Sequence, residues 1–149
     1  MGSAMSESEL SRKVRYLEVF FFLYLPIIFL FIPSIPEEDV IQTTSPTLFS
    51  LVLIPLMPFE LFLIYVFKRM LLEDAEGRNI IGVAALMYVL AVAPSIYAFL
   101  ISVLDSFMRY VGMTMGFVFS LVGFIYVRMS LSEQIQDSET LEDGARPVS

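Results

Sequence analysis

An all-α membrane protein, built as a four-helix bundle in up-down-up-down order, is the fold class this sequence predicts. Three observations lead there. Hydrophobic residues make up 57% of the chain and its mean hydropathy is +0.77, the mark of the membrane class. Four apolar runs, at 17–35, 47–67, 80–104 and 107–127, come close to or exceed the ~20 residues that cross a hydrocarbon core. Basic residues gather on one side of those runs, and the connections between them are short, which favours antiparallel neighbours.

The elements follow in order. Met1-Gly2-Ser3-Ala4, ahead of a second methionine at Met5, reads as an expression scar and is set apart from the fold. Residues 5–16 begin a helix, with Ser6 in a capping position and Glu9 three residues on, able to reach back to it. Arg12, Lys13 and Arg15 precede the first span, and Glu18 at its edge is expected to pair with Arg15 along one helix face. The run is longer than a signal-peptide core and has no small-residue cleavage site, so a retained helix is expected.

Residues 36–46 form a short loop carrying Glu37, Glu38 and Asp39, and the second span closes on Lys68-Arg69. A charged loop with Gly77 leads to the third span, which at 80–104 is long enough to tilt or protrude. Asp105-Ser106 makes a tight turn in which either side chain can cap the fourth helix. Arg128 ends the membrane domain, 17–128. The acidic tail at 129–149 is poor in aromatics and expected to be disordered beyond its first turns.

Four spans leave both ends on one side. Arg12, Lys13, Arg15, Lys68, Arg69, Arg78, Arg128 and Arg146 fall there, and only Arg109 falls opposite. The positive-inside rule therefore places both termini in the cytoplasm, with the bundle in the cell (inner or plasma) membrane. Tyr16, Tyr65 and Tyr126 near the cytoplasmic boundary and Tyr110 near the outer one fit the preference of amphipathic rings for the interface.

Composition also excludes. The chain has no Cys and no His, which removes disulfides, thiol nucleophiles and the usual zinc and copper ligand sets. A net charge of −7 argues against nucleic acid or an anionic lipid headgroup as the main partner. There is no glycine-rich phosphate loop and no serine nucleophile with a candidate base, so no enzyme mechanism, cofactor or metal is expected.

Glu60 is the candidate site residue. A carboxylate inside a span costs on the order of 2.5–3.5 kcal/mol on insertion scales, so it is expected to face protein or water. Counted from the cytoplasmic helix ends at ~1.5 Å per residue, Glu60 lies ~10 Å deep, and Tyr24, Tyr88 and Ser120 fall near the same level. The expectation is a polar layer of these four, either a proton- or cation-handling site or a buried glutamic acid that fixes packing.

Pro26, Pro55, Pro58 and Pro94 are expected to kink three of the helices, freeing carbonyls that shape the bundle or line a cavity. Gly112, Gly116, Ser120 and Gly123 make a small-residue stripe on the fourth helix, and Ala91, Ser95, Ala98 and Ser102 a matching one on the third. Such stripes let backbones approach closely, here either within the chain or in a homodimer.

Residues 89–101, Val-Leu-Ala-Val-Ala-Pro-Ser-Ile-Tyr-Ala-Phe-Leu-Ile, resemble the second helix of the rotor-ring c/K subunits of ATP synthases. The ion-carrying glutamate of that family falls at Val92, so the resemblance implies a helix of that kind without its ion site. The layout as a whole is similar to small four-helix bacterial membrane proteins, which implies a fold and no activity. Two functions are expected on these grounds. One is a non-enzymatic assembly or accessory subunit, working through helix–helix contacts with a membrane partner or its own copies. The other is a small oligomeric ion- or proton-coupled carrier or channel built on Glu60.

Overall fold

The computed structural model describes residues 7–72 and 78–145, and it is all-helical. Helix α1 spans Glu7–Ser34, α2 Leu48–Phe67, α3 Arg78–Leu104 and α4 Arg109–Ala145. Four helices are long and apolar enough to cross a membrane. A single 3₁₀ turn, Glu37–Asp39, lies in the α1–α2 connection. Ser6 and the charged loop around Gly77 lie outside the described residues.

Helix α2 starts where Thr47 sits in extended backbone and its side chain accepts a hydrogen bond from the Ser50 amide at 3.2 Å. It runs unbroken through Pro55 and Pro58, as α1 does through Pro26 and α3 through Pro94. The helical path then continues as a π-helical segment, Lys68–Leu72, past the end expected from hydropathy. That extension carries Leu72 into the core beside Ile64 and Ile80 and brings Lys68 to Glu133 of α4, at 3.3 Å.

The core falls into two clusters. One joins Leu10, Val14 and Leu25 of α1 to Tyr88 and Ala91 of α3 and to Phe124 and Val127 of α4. The other holds Ile32, Leu53, Met57, Ala98 and Ile101, nearer the α1–α2 connection. Helices α3 and α4 approach most closely along their small residues. A methyl added at Gly116 would come within 2.5 Å of the Ala98 Cβ and 2.8 Å of the Pro94 carbonyl, and one at Gly123 within 3.3 Å of the Ala91 Cα. Gly112 faces Ile101 in the same seam. Ser95 and Ser102, both buried, donate their hydroxyls back to the carbonyls of Val92 and Ala98 on their own helix.

Two expectations from sequence are corrected here. The stretch following Arg128 does not dissolve into disorder, because α4 continues to Ala145. Leu131 is buried and Ile135 packs on the core, so an apolar stripe holds the helix past the last hydrophobic run. The Thr140 hydroxyl also bonds back to the Gln136 carbonyl. Glu18, second, pairs with Arg128 of α4 at 2.8 Å rather than with its helix neighbour Arg15. A partner across the bundle displaces the local one.

Candidate functional site

Among the described residues two carboxylates are buried, Asp105 and Glu60. They are supplied very differently. Asp105 sits between α3 and α4 and is wholly buried. Its Oδ1 accepts from the Thr43 hydroxyl at 2.7 Å and the Met108 amide at 3.0 Å. Its Oδ2 accepts from the Ser50 hydroxyl at 2.6 Å and from the Thr47 amide and hydroxyl, both at 2.9 Å. One side chain thus closes the N-terminal ends of α2 and α4 together, where unpaired amides and the helix dipole favour a negative charge.

Burial by itself would raise the Asp105 pKa. The bonds from the Ser50 hydroxyl, the Thr47 amide, the Thr43 hydroxyl and the Met108 amide outweigh it and hold the carboxyl far below the usual carboxylate range. Every lone-pair direction is occupied by a protein donor, which leaves no room for a cation. The chain around it is tied down as well. The Ile41 amide bonds to the Val103 carbonyl, the Ser106 amide to the Ile41 carbonyl, and the Thr43 amide to the Ser106 hydroxyl. Arg109, also buried, donates Nη2 to the carbonyls of Ile32 and Ile35 at 3.1 Å each, closing the C-terminal end of α1.

Glu60 lies on α2 and is 7% exposed. Its Oε1 accepts from the Tyr97 hydroxyl of α3 at 2.6 Å, and its Oε2 is buried with no partner among the described residues. The polar layer expected around it does not close. Tyr88 and Ser120 are buried with their hydroxyls unbonded among the described residues, and Tyr24 packs with the apolar core.

Two physical reasons account for the difference. Because α2 runs on to Leu72, Glu60 is farther from that end of the bundle than an end at residue 67 implies. A helical side chain also leans toward its own N-terminus, so Tyr97 reaches back to the Glu60 level. Tyr88 stands nine residues earlier, two and a half turns at ~3.6 residues per turn, and so points the opposite way. Its ring stacks on Phe21 of α1 at 5.5 Å and meets Phe124 of α4 at 5.4 Å.

Sequence reading missed Tyr97 as the partner of Glu60, and saw Asp105 only as a cap of one helix. The available signal for Tyr97 was the lean of a tyrosine toward its own helix start, and Asp105 offered none beyond its place in the turn. Among the described residues, no three acidic side chains gather as a metal-ligand set. Compared with known families, curated proteins and solved structures, the chain matches none.

Proposed function

We propose that this chain is an integral membrane protein of a non-enzymatic kind, an assembly or accessory subunit that acts through helix–helix contacts with another membrane chain or with its own copies. In this reading the helices cross a cell (inner or plasma) membrane in up-down-up-down order, with both termini cytoplasmic as the basic residues direct. The observation that carries it is the outward-facing apolar surface. Only 11% of the apolar window of α1 is buried, and Phe20, Leu23, Ile27, Leu30 and Phe31 are all exposed along it. Lipid or a neighbouring helix has to cover such a face, since soluble monomers rarely expose contiguous apolar patches beyond ~300–600 Å².

Most interior polar groups support the role by binding within the chain. Asp105, Arg109, Ser95 and Ser102 hold its own turns and carbonyls. Native mass spectrometry of the chain released from native lipid tests the proposal. Recovery bound to a different membrane protein is the result expected of an accessory subunit.

A second reading rests on Glu60. Its unpartnered Oε2 beside the Tyr97 hydroxyl is the arrangement a proton- or cation-handling carboxylate would have in a carrier or channel. Proton flux into liposomes, measured for the native chain and for Glu60→Gln, separates the two. Flux lost in the variant replaces the accessory role with transport, and no flux in either leaves the accessory role standing.

A further inference from the structure

A cleft of about 550 Å³ opens between the first turns of α1 and the later turns of α4. Arg15 and Glu18 line it from α1, Arg128, Ser132 and Gln136 from α4, and Tyr88 of α3 closes its inner side. Arg128 gives its Nε to Glu18 at 2.8 Å, which neutralises the carboxylate and leaves the outer guanidinium nitrogens outside that pair. Arg15 is exposed and has no ion-pair or hydrogen-bond partner among the described residues. The balance of the three charged groups is one positive charge.

Tyr88 is the second, independent observation. It is fully buried, yet its hydroxyl has no hydrogen-bond partner among the described residues, and an unmade bond at a buried hydroxyl is costly. The ring contacts with Phe21 and Phe124 hold it in place, so the hydroxyl cannot turn out to find water. A donor held still, two guanidinium groups and two small polar side chains converge on one space. That chemistry suits a phosphate oxyanion.

We propose that this cleft seats the phosphate headgroup of an anionic phospholipid, an inference that rests on the membrane reading above. Lipid rather than free phosphate is indicated by what borders the cleft. Val19 lines it, and Phe22 of α1 and Phe124 of α4 meet at 5.8 Å, with Phe22, Leu121 and Ile125 exposed as an apolar wall for acyl chains. In the membrane reading, Arg15, Glu18 and Arg128 mark the level at which the apolar spans give way to charge, the depth of a headgroup.

The test reconstitutes the chain in vesicles of phosphatidylglycerol mixed with phosphatidylcholine, and counts the lipids retained on release into the mass spectrometer. Phosphatidylglycerol should be retained in preference. Arg15→Gln, which breaks no ion pair or hydrogen bond among the described residues, should weaken that retention about tenfold. Tyr88→Phe keeps the ring packing and should weaken it too, whereas Arg69→Gln, outside the cleft, should leave it unchanged. Equal retention of the two lipids, or full retention in both cleft variants, overturns the proposal. So does displacement of the lipid by excess inorganic phosphate, which would make this a site for the free anion. Failure to enter vesicles of either composition overturns the membrane reading itself, and entry without lipid preference overturns only the headgroup seat.

Discussion

Asp105 and Glu60 are the same chemistry in two surroundings. Asp105 accepts five hydrogen bonds, from two helix starts and the loop between α1 and α2. Glu60 accepts one, from Tyr97, and keeps a second oxygen buried without a partner among the described residues. The difference teaches how to tell a structural carboxylate from one held in reserve. A carboxylate that closes helix ends is saturated by donors that have nowhere else to go. One in mid-helix meets only side chains, because the backbone amides around it are already bonded within their helices, and it stays partly unsatisfied.

The comparison can be broken by mutation, beginning with the largest effect. Asp105→Ala should destabilise the bundle by about 4 kcal/mol, since it orphans two helix N-termini and the hydroxyls of Thr43, Thr47 and Ser50 together. Denaturant titration of helicity in detergent checks this, and a loss no greater than that of Glu60→Gln would dissolve the contrast drawn here. Acid gives a companion measurement. The folded-state pKa of Asp105 is lowered, so its contribution is complete above the ordinary aspartate value of ~3.9 and is lost as pH falls through the lower folded value. Stability should therefore hold from neutral pH to about 5 and decline below ~4. The decline should be shallower in Asp105→Asn.

Arg109→Met should cost about 2–3 kcal/mol, because the carbonyls of Ile32 and Ile35 lose a charged donor at the end of α1. Gly116→Ala should cost about 2 kcal/mol by forcing α3 and α4 apart at Ala98 and Pro94. The thermal midpoint of each variant measures it, and an unchanged midpoint for Gly116→Ala would mean the seam has slack. The smallest effect belongs to Glu60→Gln, below about 1 kcal/mol, since an amide oxygen can still accept from Tyr97. A large loss there would show that the spare oxygen does have a structural partner.

Much of the fold is legible in the residue order, and the reasons are local. Runs of apolar residues about as long as a hydrocarbon core is thick mark α1 to α4, and a polar pair at Asp105-Ser106 marks the turn between the last two. The small-residue stripes of α3 and α4 follow from helical spacing, and the structure turns them toward each other within the chain. The end of α4 was not legible, because its last apolar contacts, Leu131 and Ile135, are sparse in an acidic stretch and count only once a core lies beside them. Nor was the partner of Glu18, where Arg15 is close in sequence and Arg128 is close in space.

What the sequence by itself determined is the number of the helices and the place of their apolar spans, since hydrophobicity and the backbone's need for internal hydrogen bonds act along the chain. Which polar side chains meet was decided only in three dimensions. Hydrogen bonds depend on a few tenths of an ångström and on helix rotation, and no spacing along one helix states how its neighbour is turned. That is why Glu60 stood out in the sequence while Tyr97 did not, and why Asp105, which resembles an ordinary cap, joins loop, turn and two helix starts at one point.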